Sequence, residues 1–220
     1  NIIKKKQMFS VVFPGQGSQK IGMAKDFFDK FQMVKKIFKN ADDILGFPIS
    51  KIILDGPEDK LNLTENTQPA IFLTSYSIFN VAKKEFGINF DKAQYIAGHS
   101  LGEYSALCCF GALAFEDTLK ILKKRGRSMQ EAVPANEGSM LAVLGSQLSV
   151  VEKLIKENVK DCFIANNNSP QQVVVSGLKK NIDLFSEVLN KSKIKNIKLN
   201  VSAPFHCKLM KKATDNLKYE

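Results

Sequence analysis

Apolar runs and polar turns alternate along the whole chain, and their spacing predicts a mixed α/β structure. The unbroken apolar run at residues 8–13 predicts a fully buried strand, which Pro14 and Gly15 end. A second short apolar run, residues 95–97, predicts another strand. Apolar residues at helical spacing predict helices over residues 31–45, 67–86, 103–110 and 116–130.

From residue 138 onward the predicted elements are shorter. Strands are predicted at residues 139–145, 162–165, 172–176 and 194–200, with helices at 149–158 and 179–189. The order β-α-β-β-α-β is that of a ferredoxin-like unit. We therefore predict an α/β protein with two domains. A larger α/β-hydrolase-like domain with a parallel sheet comprises residues 1–136 and 201–220, and a small ferredoxin-like domain, residues 137–200, is inserted into it.

The charge of the chain is strongly basic, with a formal net charge of +10 over 220 residues. All but two of the 32 basic residues are lysines, and they are scattered along the chain, for which a coding bias is the plainest explanation. No basic block is interleaved with aromatic residues, so we predict no nucleic-acid partner. A basic surface still favours an acidic partner or a phosphate-bearing substrate.

Other features of the composition narrow the class of protein. No apolar run approaches the roughly 20 residues of a membrane span, and residues 1–6 lack a signal-peptide core, which predicts a soluble, cytoplasmic protein with no membrane partner. The four cysteines have no C-x-x-C spacing and favour reduced thiols. Two histidines without clustered acidic residues make a poor metal-ligand set, so no metal site is predicted.

The pentapeptide Gly-His-Ser-Leu-Gly at residues 98–102 lies between a predicted strand and a predicted helix. It has the form of a nucleophile elbow, in which a serine occupies a strained turn with small residues on both sides. Ser100 would then lie at a helix N-terminus, where unpaired N–H groups can stabilise an oxyanion. The alternative is chance, because a chain of this length contains G-x-S-x-G by accident roughly a few per cent of the time.

A glycine-containing loop, residues 15–19, follows the first predicted strand. It lacks the third glycine and the lysine of the known phosphate-binding loops. Its backbone N–H groups can still face an oxyanion. An ordinary connection from strand to helix explains the stretch equally well.

The two histidines of the chain are His99 and His206. A serine nucleophile needs an imidazole to accept its proton, and His206 is the natural candidate. A buried histidine with a structural role is the alternative. His99 precedes Ser100 within a sharp turn, so we expect its side chain to point away from the serine and to have a structural role.

The chain contains only two arginines, Arg125 and Arg127. A guanidinium pairs with a carboxylate through two parallel hydrogen bonds, which a lysine cannot reproduce. For Arg127 we favour a solvated helix face. The role of Arg125 depends on its neighbours in the fold, which periodicity does not reveal.

Five motifs follow one another along the chain: FPGQGSQ at residues 13–19, NTQPA at 66–70, GHSLGEYSA at 98–106, RG at 125–126 and APFH at 203–206. In order and spacing they resemble those of the malonyl-CoA:acyl carrier protein transacylases of fatty-acid synthesis, over nearly the whole chain. The resemblance implies transfer of a malonyl group from malonyl-CoA to the phosphopantetheine thiol of acyl carrier protein through a malonyl-serine intermediate. It implies no metal or redox cofactor.

The resemblance also implies a role for seven residues. Ser100 corresponds to the nucleophile and His206 to its base. The backbone N–H groups of Gln16 and Leu101 correspond to the oxyanion hole. Arg125 corresponds to the arginine that binds the malonyl carboxylate, and Gln68 and His99 line the same pocket.

Two other functions stay open at this point. A serine hydrolase such as a thioesterase would use the same Ser100 and His206, although Arg125 and the Gln16 loop argue against it. A catalytically silent scaffold that binds the carrier protein is the other. We expect a monomer whose partners are coenzyme A and acyl carrier protein. Members of the family continue past the position of Glu220, so we expect the group that orients His206 to lie in that C-terminal part.

Overall fold

The structure is a computed structural model that describes residues 8–134, 137–201 and 203–218. The chain divides into two compact units, Asn1–Gly126 and Arg127–Glu220. The predicted domain boundaries at residues 136, 137, 200 and 201 stay a prediction. The predictions for residues 1–7, 135, 136, 202, 219 and 220 lie outside the described residues.

The first unit contains two parallel strands, β1 (Phe9–Phe13) and β2 (Ala93–Gly98). Val11 pairs with Ile96, and Phe13 pairs with Gly98 at the carboxyl ends of the two strands. The carboxyl ends of parallel strands meet at one edge of a sheet, which is where ligands bind in such sheets. The loop after β1 and the turn after β2 therefore lie at the same edge.

Helices form the rest of the first unit, and α5 contributes more of its core than any other helix. Phe72 and Leu73 of α5 are fully buried, together with Phe38, Ile49 and Leu119 of its neighbours. The helices are α1 (Lys25–Lys30), α2 (Gln32–Leu45), α3 (Ile49–Asp55), α4 (Glu58–Asn62), α5 (Thr64–Lys84), α6 (Leu101–Cys109) and α7 (Phe115–Gln130), with a 3-10 turn at Phe90–Lys92.

The predicted helices are confirmed as α2, α5, α6 and α7, and Gly46 ends α2 in the left-handed conformation at φ +70°. Helices α1, α3 and α4 have no counterpart among the predictions. They have 6, 7 and 5 residues, so none is long enough to show a helical period. None of the helices described here is both long and apolar enough to cross a membrane.

The prediction that β1 is fully buried is wrong. Phe13 packs against Phe79, but Val12 is 74% exposed and Met8, just before the strand, is 67% exposed. On the neighbouring strand Tyr95 is 72% exposed. Only one face of this sheet packs against described helices. An unbroken apolar run does not reveal how many faces of its strand are covered.

The second unit contains an antiparallel sheet with the strand order β4–β5–β3–β6. Its elements follow the predicted order: β3 (Gly138–Leu144), α8 (Leu148–Asn158), β4 (Cys162–Ser169), β5 (Gln172–Leu178), α9 (Lys179–Lys191) and β6 (Asn196–Lys198), then a 3-10 turn (Lys208–Met210) and α10 (Lys211–Leu217). Two predictions are wrong in extent. β4 continues through residues 166–169, past its predicted end at residue 165, because Asn166, Asn167 and Ser169 pair with β5. β6 is only three residues long, whereas residues 194–200 were predicted.

Residues alternate between the two faces of this sheet, as the period of a β-strand requires. Leu141, Val143 and Val175 belong to the core formed with α8 and α9. Met140, Ala142 and Val174 point to the other face, and their core includes Ala203, Phe205, Met210 and Ala213. Both faces are therefore covered, and the segment around His206 covers the second one.

Candidate active site

Ser100 lies in a sharp turn between β2, which ends at Gly98, and α6, which begins at Leu101. Its backbone has φ +53° and ψ −111°, a strained conformation for a residue with a side chain. A Cβ on Gly98 would lie 2.0 Å from the carbonyl carbon of Gly102, and a Cβ on Gly102 would lie 2.4 Å from the carbonyl oxygen of Phe13. Only glycine fits at both positions, so the predicted elbow is confirmed.

The first backbone amides of α6 donate hydrogen bonds to the carbonyls of the turn around Ser100. Gly102 N–H donates to the carbonyl of His99 at 3.0 Å, and Glu103 N–H donates to the carbonyl of Ser100 at 3.1 Å. Leu101 is the first helical residue, at a position where the helix itself supplies no acceptor for the N–H. An anion beside this N–H is also favoured by the helix dipole. The oxyanion role of Leu101 stays a prediction.

The Gln16 turn, after β1, is held by side-chain hydrogen bonds. Gln16 Nε2 donates to Thr64 Oγ1 at 3.3 Å, and Gln19 Nε2 donates to Asn62 Oδ1 at 2.9 Å. Within the turn Gly17 N–H donates to Gln19 Oε1 at 2.8 Å. These bonds attach the turn to the junction of α4 and α5. The backbone of Gln16 is therefore held against α4 and α5. That its N–H contributes to the oxyanion hole stays a prediction.

His99 contacts the same turn from the elbow side. Its backbone N–H donates to the carbonyl of Phe13 at 3.0 Å. A Cβ on Gly15 would lie 2.5 Å from His99 Nδ1, so the imidazole leaves no room for a side chain there. His99 thus helps to hold the elbow and the turn together, in line with a structural role. That it lines a substrate pocket stays a prediction.

Arg125 is brought next to Ser100 by the packing of α5, α6 and α7. Its Nη2 donates to Ser100 Oγ at 3.1 Å, and its Nη1 donates to Gln68 Oε1 at 2.6 Å. The guanidinium carbon lies 5.6 Å from the centre of the Tyr104 ring, within reach of a cation–π interaction. Three of the predicted site residues, Gln68, Ser100 and Arg125, are therefore in contact with one another through the guanidinium.

The charge of Arg125 is only partly compensated. Burial lowers the pKa of its guanidinium, while Tyr104 and Glu103 oppose that shift. In the described part of the chain no carboxylate forms an ion pair with it, and its hydrogen-bond acceptors are neutral oxygens. An arginine remains charged at neutral pH. A partly buried cation with neutral partners is suited to binding a carboxylate from a ligand.

Arg127 provides the contrast, since its Nε donates to Glu131 Oε1 at 2.8 Å and both side chains are well exposed. The predicted solvated helix face is confirmed for Arg127.

His206 lies in the second unit, in the loop before the last 3-10 turn. The loop residues Ala203, Pro204 and Phe205 are buried, whereas His206 is exposed. Its backbone adopts φ +56°, the second strained position among the predicted site residues. Its role as the base stays a prediction.

Residues 10–220 match the model of the acyl transferase domain family. The chain belongs to the acyl transferase family. It is 43% identical over 211 residues to the malonyl CoA-acyl carrier protein transacylase of Bacillus subtilis, an alignment that covers 94% of this chain and 65% of that protein. The predicted family resemblance is thereby confirmed.

Two solved structures of acyl transferase relatives align over 96% of the chain. The malonyl CoA-acyl carrier protein transacylase of Coxiella burnetii is 38% identical, with a TM-score of 0.91 over 67% of its own chain. A malonyl-transacylase solved in complex with its type II PKS acyl-carrier protein is also 38% identical, with a TM-score of 0.89 over 68% of its chain. The chain thus spans about two thirds of the length of these relatives.

Three residues near this acyl transferase site were not anticipated from the sequence. Thr64 accepts the hydrogen bond from Gln16, Tyr104 contacts Arg125, and Lys123 Nζ lies 3.0 Å from Asn66 Oδ1 at the start of α5. Thr64 is four residues before Gln68, and Tyr104 is four residues after Ser100. That helical spacing could have indicated both, whereas nothing local indicates Lys123.

From the composition we predicted reduced thiols and no metal site. All four cysteines are free, as expected for reduced thiols, and burial raises the pKa of Cys162 to about 12. A thiol held protonated is a poor nucleophile. Among the residues that the structure describes, no group of three or more His, Cys, Asp and Glu side chains could hold a metal ion. The predicted absence of a metal stays a prediction.

Proposed function

We propose that the protein transfers a malonyl group from malonyl-CoA to the phosphopantetheine thiol of an acyl carrier protein and so supplies fatty-acid synthesis. The observation that carries the proposal is the guanidinium of Arg125, 3.1 Å from Ser100 Oγ and without a carboxylate partner in the described structure. A cation beside the nucleophile favours an acyl group that ends in a carboxylate. An acetyl group would leave it unpaired. The names of the relatives support the same reaction.

In the first half-reaction Ser100 Oγ attacks the thioester carbonyl of malonyl-CoA while His206 accepts the serine proton. The backbone N–H groups of Leu101 and Gln16 bind the oxyanion of the tetrahedral intermediate. The carbon–sulfur bond then breaks. Coenzyme A leaves as the thiol with the proton from His206, and the malonyl group remains on the serine as an ester.

In the second half-reaction the carrier-protein thiol gives its proton to His206 and attacks the ester carbonyl. The bond to Ser100 Oγ breaks, and the serine regains a proton from His206. Each step moves a proton and an acyl group without a change of oxidation state. We therefore propose that malonyl-CoA is a substrate and that no further cofactor takes part.

We also propose that the first unit is α/β-hydrolase-like and the second ferredoxin-like. The strand–elbow–helix sequence around Ser100 and the parallel pairing of β1 with β2 support the first description. The strand order β4–β5–β3–β6 and the packing of α8 and α9 on one face support the second.

We propose acyl carrier protein and coenzyme A as partners of a monomeric, cytoplasmic protein, without nucleic-acid or membrane partners. The complex of a related transacylase with its carrier protein supports the first of these. The net charge of +10 is suited to an acidic protein or to the phosphates of coenzyme A. The scattered lysines speak against a nucleic-acid surface.

Mass spectrometry of the intact protein after incubation with malonyl-CoA tests the proposal. We expect a malonyl adduct that is absent from Ser100→Ala and disappears when a pantetheine thiol is added. The control is Ser105→Ala, which removes a buried hydroxyl from α6, the helix that follows Ser100, and it should keep the adduct. Rapid release of free malonate would instead identify a serine hydrolase. An unchanged yield of adduct in Ser100→Ala would refute both the transferase and the serine hydrolase.

A further inference from the structure

The loop that carries His206 is anchored through its flanking residues. Ala203 is fully buried and Phe205 is 5% exposed, and both pack on the face of the sheet that presents Met140 and Val174. A Cβ on Gly138 would lie 2.1 Å from Cδ of Pro204, so β3 and the loop are in close contact. The loop therefore has little freedom on either side of the exposed histidine.

His206 itself adopts a backbone conformation that needs support. Its φ of +56° lies in the left-handed region, which residues with a side chain occupy at a cost in free energy. Such a conformation persists only where the surrounding structure enforces it. The contacts next to His206 must therefore supply that support.

Ser176 makes the contact nearest to the histidine. It lies in β5, is fully buried, and donates from Oγ to the carbonyl of Phe205 at 2.7 Å. β5 is paired on both sides, with Met140 of β3 and Phe163 of β4 opposite Ser176. A buried hydroxyl is costly without a partner, so this bond is strongly favoured. It attaches the peptide unit between Phe205 and His206 to an inner strand of the sheet.

A second contact follows the histidine. Lys208 Nζ lies 2.9 Å from Asp161 Oδ1 and 4.7 Å from the centre of the Phe163 ring. The hydrogen bond from Lys208 is the largest cause that lowers the pKa of the Asp161 carboxyl. Both charged side chains are more than half exposed, and ion pairs of this kind contribute little. Ser176 is therefore the stronger anchor of the two.

We propose that Ser176 is a positioning residue for His206: its hydrogen bond to the carbonyl of Phe205 holds the left-handed turn that aims the imidazole. The Lys208–Asp161 pair is a weaker second anchor. The proposal rests on the role of His206 as the base, proposed above. It goes beyond that role because it assigns the placement of the base to a side chain of the second unit.

The test uses the whole 220-residue chain with Ser176→Ala, the rescue variant Ser176→Thr and the control Ser139→Ala. Ser139 is a buried serine of β3, on the face of the sheet opposite to Ser176, since the two differ by one position in the paired register. The measurements are the single-turnover rate of adduct formation on Ser100, the KM for malonyl-CoA and the melting temperature.

We expect Ser176→Ala to lower the rate of adduct formation about 10-fold, the size of one neutral hydrogen bond, with KM within about 2-fold of its original value. Ser176→Thr keeps the hydroxyl and should recover most of the rate. Lys208→Gln should lower the rate of adduct formation about 2-fold, because an exposed ion pair contributes little. Ser139→Ala should keep its rate within about 2-fold, because its hydroxyl faces away from the loop.

A rate for Ser176→Ala equal to that of Ser139→Ala would overturn the proposal, and so would an equal loss in Ser176→Thr. If the alanine variant does not fold, Ser176→Cys fills similar space with a weaker donor, and a rate equal to the control overturns the proposal as well. His206→Ala separates the two proposals. Full activity in His206→Ala refutes the role of His206 as the base. Loss of activity in His206→Ala together with normal activity in Ser176→Ala refutes only the positioning role of Ser176.

Discussion

Ser100 and His206 are both strained, with φ of +53° and +56°, yet the two units hold them in different ways. At Ser100 the support comes from main chain against main chain, because Gly98 and Gly102 allow contacts that no other residue permits. At His206 the support comes from a side chain, the hydroxyl of Ser176, which is 29 positions away from its acceptor residue Phe205. The contact of Gly98 with Gly102 lies within the turn itself, whereas the contact of Gly102 with Phe13 and the hydrogen bond of Ser176 to Phe205 join distant parts of the chain.

Ser100 and His206 also differ in how each is positioned on the sheet of its own unit. Ser100 follows the carboxyl edge of the parallel sheet, so its position depends on strand pairing at Phe13 and Gly98. The His206 loop lies on a face of the antiparallel sheet, so its position depends on packing against Met140 and Val174. The difference teaches that substitutions of glycine should damage the first site most, and substitutions of buried side chains the second.

The largest effect is expected from Gly98→Ala. The new Cβ would lie 2.0 Å from the carbonyl carbon of Gly102, so main chain must move, and we expect a loss of about 4 kcal/mol in the free energy of unfolding, with loss of the malonyl adduct. Gly46→Ala is the control: its φ is +70°, but no atom of the residues that the structure describes lies within 4 Å of a Cβ placed there, so we expect a loss of about 1 kcal/mol in the free energy of unfolding. Denaturant titration measures both. Equal losses would show that the elbow is not held by main-chain contacts.

The next effect is expected from Arg125→Ala. Loss of a charge-assisted carboxylate contact should cost malonyl transfer about 2 to 4 kcal/mol, or roughly tens- to several-hundredfold, and acetyl transfer much less. Arg127→Ala removes the other arginine of the chain, which is exposed, and should leave the selectivity unchanged. Values of kcat/KM for both acyl-CoA substrates decide the matter. If Arg125→Ala slowed both transfers equally, Arg125 would serve only the fold.

A smaller effect is expected from Gln68→Ala. Gln68 is 1% exposed, and its Oε1 accepts from Arg125 Nη1 at 2.6 Å, so the variant frees the guanidinium to take other orientations. We expect a loss of about 1.5 kcal/mol, roughly 10-fold, in kcat/KM for malonyl-CoA. Asn80→Ala, which removes an amide near the other end of α5, is the control. Normal malonyl transfer in Gln68→Ala would mean that Arg125 is oriented without it.

The smallest effect is expected from Cys207→Ser, beside the histidine. The Cys207 thiol donates to the carbonyl of Pro204 at 3.1 Å, and a serine hydroxyl can make the same bond. We expect kcat to stay within about 2-fold, with the melting temperature nearly unchanged. A decrease in kcat of about 10-fold or more, in a variant that still folds, would show that the Cys207 thiol takes part in the reaction.

Some parts of the fold could be predicted because their signal is local. Helical periodicity predicted α2 and α7 within one residue at either end, and the order of elements in the second unit was also predicted. The errors concern long-range partners. Whether Val12 is covered depends on what packs on the sheet, and residues 166–169 belong to a strand only because β5 lies beside them. Periodicity within one segment contains neither kind of information.

By itself the sequence determined the turn at Ser100, because the contact of Gly98 with Gly102 lies within the turn and only glycine fits there. The contact of Gly102 with Phe13 forms only once β1 lies beside the turn. The sequence also determined which arginines and histidines were available for chemistry. The tertiary structure alone decided that Arg125 and Gln68 meet Ser100, because helices α5, α6 and α7 must pack before residues 25 and 57 positions apart can hydrogen bond. It likewise decided that Ser176 holds the His206 loop, since a hydroxyl finds its acceptor only after the sheet has formed.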